Sequence, residues 1–154
     1  LRYIYHLSDH EVWISQFQWN LGKNLFRDQR IAIGGDDGMR AFPLYYQRGD
    51  SRIVATAEYR YFTDWTILQL LDVGFASFVD AGRSWGGRSA EDLAALNGKA
   101  GIDDEILFGL GVGIRLLSSH SSRGTMIHID LTHPFSNNPD LDEWQWRVTA
   151  KKRF

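Results

Sequence analysis

Apolar residues recur at every second position through most of this chain. In the segment Glu105–Leu117 the even-numbered residues are all large and apolar, whereas the positions between them are mainly glycine. This two-residue period is that of a β-strand, in which successive side chains point to opposite faces. The pattern therefore predicts an all-β chain.

Most segments with this alternation have the length of a tilted membrane-spanning strand, roughly nine to eleven residues. They are Tyr3–Leu7, which is shorter, Trp13–Leu21, Ile53–Phe62, Leu71–Ala81, Glu105–Leu117, Thr125–Thr132 and Glu143–Phe154. A soluble strand can also alternate, but the small residues facing inward in Glu105–Leu117 suit a crowded lumen. We expect the apolar faces to contact lipid and the opposite faces to line the lumen.

The predicted connections alternate between short turns and long loops. The turns are Ser8–His10, Thr63–Trp65 and Ser118–Arg123, and the loops are Gly22–Asp50, Arg83–Asp104 and Pro134–Asp142. Bacterial barrels have short turns on the periplasmic side and long loops outside. This sorting predicts an antiparallel transmembrane β-barrel in contact with the lipid of the bacterial outer membrane. A soluble ligand-binding β-barrel is the alternative.

The composition limits other functions. The net charge of -2 argues against a nucleic-acid partner, because phosphate binding needs a surplus of Lys and Arg. The absence of cysteine excludes disulfides, thiolate metal sites and cysteine nucleophiles. No apolar run reaches the roughly 18–20 residues of a spanning helix, although a barrel escapes this criterion since only alternate residues face lipid.

Motifs of bond chemistry are not evident in the sequence. No Gly-x-Ser-x-Gly elbow supplies a hydrolase nucleophile. His128 and Asp130 share a strand face, but His133 has the opposite parity, which disfavours a shared metal. We therefore expect a chain that is not an enzyme and that holds no metal and no cofactor.

Several short motifs carry a family resemblance. The loop motif reads Ile33-Gly34-Gly35-Asp36-Asp37-Gly38-Met39-Arg40-Ala41-Phe42-Pro43. It is followed by Thr56–Arg60, Phe78–Trp85, Gly109–Arg115 and a final Phe154. The loop resembles the Gly-Gly and Val/Leu-Arg-Gly-Phe/Tyr signature of the superfamily that includes BamA, TamA and the two-partner-secretion transporters. The resemblance covers essentially the whole chain, in the family's order.

The resemblance implies a fold and a function. Barrels of this family have about sixteen strands, so residues 1–154 are expected to form the C-terminal seven or eight of them. A loop at about 22–50 would fold back into the lumen. The alternative to a part of a larger barrel is that Arg30–Ile33 adds an eighth strand and closes a small barrel. The implied function is protein assembly, insertion or secretion, with unfolded outer-membrane or secreted proteins as substrates. The alternative is a barrel that anchors or exports an upstream fused enzyme such as a patatin-like phospholipase.

The resemblance also implies a clasp between the loop and the barrel wall. The family's loop arginine corresponds to Arg40, which would pair with carboxylates on two neighbouring strands, here Glu58 and Asp80. Both lie on the predicted lumen face. The remaining residues of the implied loop motif are Gly34, Gly35, Met39, Ala41 and Phe42. Ala41 replaces the family's glycine and would be strained if the position required a positive φ.

The last strand resembles the insertion signal of outer-membrane proteins. Its apolar and aromatic positions are Trp146, Val148, Ala150 and Phe154. Lys152 departs from this pattern, although a lysine near the interface can extend its charge into water. We expect this strand to direct insertion by the barrel assembly machinery and to form one edge of an openable seam.

Overall fold

The computed structural model describes residues 1–26, 28–35, 38–68, 70–86, 105–118, 125–135, 141 and 143–152, without the side chains of 151 and 152. The strands in this part of the chain are β1 (Arg2–His6), β2 (Glu11–Asn20), β3 (Ile31–Ile33), β4 (Gln47–Gly49), β5 (Ser51–Ile67), β6 (Leu71–Trp85), β7 (Leu107–Ser118), β8 (Thr125–Phe135) and β9 (Gln145–Lys152). None of the described residues belongs to a helix with the length and apolar character needed to cross a bilayer.

Seven strands form one antiparallel sheet in the order β1-β2-β5-β6-β7-β8-β9. Each strand pairs with its neighbours in chain order once the short β3 and β4 are set aside. β1 and β9 are the two edges, so the sheet is an open part of a barrel. The predicted all-β, antiparallel fold is confirmed.

The hypothesis of an eighth barrel strand at Arg30–Ile33 is wrong. β3 pairs with β4 in a separate two-stranded sheet, with Ile31 opposite Gly49 and Ile33 opposite Gln47. The loop therefore carries its own small hairpin. Apolar burial explains this, because Ile33 packs in a cluster with residues of the loop and the barrel wall, away from a sheet edge.

The predicted faces are confirmed for the strands that surround the loop. On β7, Phe108, Leu110, Val112 and Ile114 are exposed, whereas Leu107 and Arg115 on the other face are fully buried. On β8, the residues Met126, His128, Asp130 and Thr132 are buried on the lumen face. The exposed apolar face is the one that lipid would cover in an outer-membrane barrel.

The predicted turn at Thr63–Trp65 is also wrong. β5 continues to Ile67, and its register with β6 shifts between Phe62 and Thr66. Thr63 donates its hydroxyl to the carbonyl of Val73 at 2.8 Å. Polar, turn-forming residues are thus accommodated in a bulge, which inserts unpaired residues without ending the strand. Val73, predicted to face outward, lies opposite this bulge and is buried.

Candidate functional site

The loop between β2 and β5 packs against the lumen face of the sheet. Its core consists of Ile33, Met39, Ala41 and Phe42 from the loop, Val54 and Leu107 from the wall, and Leu141, with Tyr46 beside them. Burial of a large apolar side chain such as Phe42 stabilises a docked state by roughly 1.5–3 kcal/mol. The loop therefore binds the wall through apolar contacts as well as through its arginine.

Glycines in the wall make room for the loop. A Cβ atom on Gly82 would lie 2.7 Å from Cδ1 of Ile33, and one on Gly109 would lie 2.7 Å from Cβ of Ala41. Both distances are too short for real carbon contacts, so larger residues would displace the loop. Gly82 on β6 and Gly109 on β7 thus form part of the surface on which the loop docks.

The loop turns on its own glycines. Gly34 and Gly38 have φ angles of 146° and 99°, which residues with a Cβ rarely adopt. The amide of Gly35 donates to the carbonyl of Phe42 at 2.9 Å and closes the turn. Among the non-glycine residues described, positive φ occurs at Asn24, Tyr45 and Leu68. Ala41 is not one of them, so the alanine carries no strain of this kind.

Arg40 reaches two adjacent strands of the wall. Its Nε and Nη2 donate to Oδ2 and Oδ1 of Asp80 on β6 at 2.9 and 2.8 Å. Its Nη1 donates to Oε2 of Glu58 on β5 at 2.6 Å, and its backbone amide donates to Asp80 at 3.2 Å. The structure thus brings together the three residues that the family resemblance implied.

The environment of Arg40 favours a fixed, charged side chain. The guanidinium carbon lies 3.4 Å from the centroid of the Phe78 ring, within the range of a cation–π contact. Burial lowers the pKa of Arg40, but hydrogen bonds and charges of Asp80 and Glu58 outweigh it and raise the pKa above its ordinary value. Charged hydrogen bonds of this kind are among the strongest in proteins.

The clasp belongs to a larger ion-pair network that the sequence did not reveal. Oε1 of Glu58 accepts from Nε of Arg60 at 2.7 Å and from Nη2 of Arg115 at 2.9 Å. Nη1 of Arg115 donates to Oδ1 of Asp130 on β8 at 2.6 Å. Arginines 40, 60 and 115 thereby balance the carboxylates of 58, 80 and 130 in formal charge.

The alternation of residues along each strand predicts a lumen-facing side chain for Arg60, Arg115 and Asp130. It does not predict which of these side chains contact one another. Glu58 pairs in register with Phe78, which pairs with Gly111 on β7. Arg115 lies four positions further along β7 and reaches Glu58 from there. Its Nη1 would lie 2.7 Å from a Cβ atom on Gly113, so the guanidinium occupies space that only glycine leaves open.

The terminal strand presents its predicted face outward. Trp146 and Val148 are 78% and 54% exposed, and Ala150 is exposed as well. β9 pairs with β8 along its described length, with Val148 opposite Ile129. Phe154 lies outside the described residues. The role of this strand as an insertion signal stays a prediction.

A cavity of about 290 Å³ lies beside the network on the lumen side. Arg40, Glu58, Arg60 and His128 line it together with glutamines of β2. In the part of the chain that the structure describes, no group of three His, Cys, Asp or Glu residues has the arrangement of a metal site. Asp130, the carboxylate considered above as a metal ligand, binds Arg115.

The loop, its clasp and the open antiparallel sheet together correspond to a known family. A family model described as the Omp85 superfamily domain matches residues 28–154. The chain belongs to the Omp85 superfamily. No curated protein and no solved structure matches it.

Membership in the Omp85 superfamily establishes location and general function. The chain is part of a barrel of the bacterial outer membrane that inserts or secretes proteins, and its substrates are proteins. Omp85 members are transporters and insertases rather than enzymes. The match includes residues 28–50 of the loop and both carboxylate partners of Arg40, which confirms the family inferred from the motifs.

Proposed function

We propose that this chain is the membrane part of a BamA-type assembly factor or of a related secretion transporter, in which the loop at about 22–50 regulates passage. The observation that carries the proposal is the fourfold hydrogen bonding of Arg40 to Asp80 and Glu58. This clasp joins a loop that occupies the lumen to two strands of its wall. The loop is therefore an element that can control the space a polypeptide would use.

The chemistry of the clasp suits a two-state element. Removal of one partner from a buried ion pair costs on the order of 3–5 kcal/mol, because the remaining charge stays buried. A loop held in this way has a defined docked state, and an undocked state in which Arg40 regains water while Glu58 keeps its bonds to Arg60 and Arg115. A substrate that binds one of these states better shifts the population between them.

We assign the contact with unfolded substrate to the edge of the sheet at β9. An unpaired edge presents backbone donors and acceptors to which an extended segment can add as a further strand. The same strand carries Trp146, Val148 and Ala150 on its outer face. We expect the assembly machinery to recognise this strand, with Phe154, during insertion of the barrel itself.

The open sheet supports placing these strands within a larger barrel. Two unpaired edges, β1 and β9, would leave backbone groups without partners in lipid, which membrane structures do not tolerate. Further strands of the same barrel would pair β1, and they would pair β9 whenever the seam is closed. We therefore place the chain as the C-terminal part of a barrel with about sixteen strands.

The test is the substitution Arg40→Ala in the full-length protein. We expect loss of protein assembly or secretion while the barrel itself reaches the outer membrane in normal amounts. Arg48→Ala is the matched control, because Arg48 is an exposed arginine of the same loop that stacks on Tyr45. Unchanged transport by Arg40→Ala, at normal barrel levels, would remove the clasp from the mechanism.

The alternative is a barrel that anchors or exports a fused enzyme. The coding sequence upstream of Leu1 distinguishes the two proposals. Soluble periplasmic repeats there would support the assembly or secretion reading. A hydrolase domain of the patatin type would support the alternative. The barrel and its clasp would be the same in both cases, but the substrate would differ.

A further inference from the structure

We propose that Arg115, anchored by Asp130, is a positioning residue for the clasp. It holds Glu58 where Arg40 can reach it, and it thereby makes docking of the loop depend on the β7–β8 pair. The inference rests on the proposed function in one respect, namely that the docked loop is the element that regulates passage.

The two oxygens of Glu58 accept from different arginines, Oε2 from Arg40 of the loop and Oε1 from Arg115 of β7 as well as from Arg60 of its own strand. Oε1 accepts from Nε and Nη2 of Arg115 at 3.2 and 2.9 Å. Oε2 accepts from Nη1 of Arg40 at 2.6 Å. Because a carboxylate is planar, an arginine that fixes Oε1 also sets the direction in which Oε2 points. Arg115 therefore orients the oxygen that the loop uses.

Asp130 completes the support from the far side. Its Oδ1 accepts from Nη1 of Arg115 at 2.6 Å, and both side chains are almost completely buried, at 2% and 0% exposure. Arg115 lies on β7, yet it bonds a carboxylate on β5 and another on β8. A relative movement of β8 would pull on the guanidinium and hence on Glu58. The link from Asp130 to the loop thus runs through Arg115.

Gly113 shows that the arrangement depends on space kept free in the wall. A Cβ atom at this position would collide with Oδ1 of Asp130 and would lie 2.7 Å from Nη1 of Arg115. The glycine lies beside both groups on the lumen face of β7. The ion pair of Arg115 and Asp130 therefore requires a residue without a side chain at position 113.

Arg60 provides a comparison within the same network. It also donates to Oε1 of Glu58, at 2.7 Å, but it lies on the same strand two residues away. Its other described contact is a long one, 3.6 Å, to the sulfur of Met126. Arg60 moves with Glu58 and does not tie it strongly to another strand. We therefore expect its loss to affect the clasp less than loss of Arg115.

The experiment measures loop docking directly. The 154 residues contain no cysteine, so Met39→Cys introduces their only thiol, at a fully buried position of the docked loop, and any cysteine elsewhere in the full-length protein is first replaced by serine. Its rate of reaction with N-ethylmaleimide is measured in the full-length barrel in outer membranes. Arg115→Lys, Asp130→Asn and the double variant are compared with Arg60→Lys. Heat-modifiable migration on gels verifies that each barrel is folded.

We expect Arg115→Lys and Asp130→Asn each to raise the labelling rate roughly three- to tenfold, because lysine lacks the fork and asparagine lacks the charge. The double variant should react no faster than the faster single variant, since both act through one guanidinium. Arg60→Lys should raise the rate less.

The proposal would be overturned if the folded Asp130→Asn barrel were labelled at the same rate as the parent. It would also be overturned if the increase in the double variant equalled the product of the two single increases. If Arg115→Lys does not assemble, the result for Asp130→Asn decides alone. The labelling rate reports docking of the loop and does not require that the barrel transports a substrate. Faster labelling of the Asp130→Asn barrel, combined with normal transport by Arg40→Ala, would uphold the positioning role and overturn the proposed function.

Discussion

Arg40 of the loop and Asp80 of the barrel wall form a two-pronged ion pair on the lumen side, with Nε and Nη2 of the arginine 2.9 and 2.8 Å from the two carboxylate oxygens. The backbone amide of Arg40 donates to the same carboxylate at 3.2 Å. Asp80 therefore binds both the side chain and the main chain of Arg40. It holds the loop in position and compensates the charge of the guanidinium.

Asp80→Asn should destabilise the barrel with its docked loop by about 3 kcal/mol. The buried Arg40 keeps its positive charge but loses one of the two carboxylates that neutralise it. The urea dependence of heat-modifiable migration measures this. Asp72→Asn is the matched control on the same strand, where the carboxylate accepts from Thr66 near the hairpin end. There we expect a change below about 1 kcal/mol. Equal effects at the two positions would contradict the special role of Asp80.

Gly109→Ala should weaken loop docking by about 1–3 kcal/mol through overpacking, because the new methyl group would press on the Cβ atom of Ala41. The other neighbours of position 109 are 3.6 Å away or more, which is ordinary contact. Ala41→Gly, which restores the glycine typical of the family, should therefore rescue Gly109→Ala. Thiol labelling of Met39→Cys measures both variants. Failure of the rescue would show that the loop is displaced by another contact.

Val148→Lys should reduce the heat-modifiable fraction after refolding into lipid vesicles, with a cost of roughly 2–4 kcal/mol for a charge facing the bilayer. Val148 is exposed on the outer face of β9. Thr149→Lys places the same charge on the opposite face and should be tolerated. Similar losses in the two variants would contradict the assignment of the faces.

The 154-residue piece by itself should not form a stable membrane unit, because both edges of its sheet lack partners. We expect no shift on gels between heated and unheated samples after refolding in detergent. The full-length barrel, treated identically, should show the shift. Heat-modifiable migration of the piece alone would indicate that it closes or associates with copies of itself.

Much of the fold follows from the alternation of residue types. The strand containing Glu58 and the strand containing Asp80 were both placed with these residues toward the lumen. The bulge at residues 63–65 was not predicted, since Thr and Asp in a short polar stretch are equally typical of a turn. Whether such a stretch turns or bulges depends on the register of its partner strand, here shifted between Phe62 and Thr66.

The sequence by itself determined the faces of the strands that surround the loop and the family of the chain, because side-chain parity is a local property of an extended backbone and the motifs are contiguous. The tertiary structure decided that Arg115 shares Glu58 with Arg40 and is anchored by Asp130. It also decided that β3 pairs with β4 inside the loop. These contacts depend on register and on the path of a long connection, which join residues that are distant in the chain. The clasp and its support therefore exist only once the sheet is assembled.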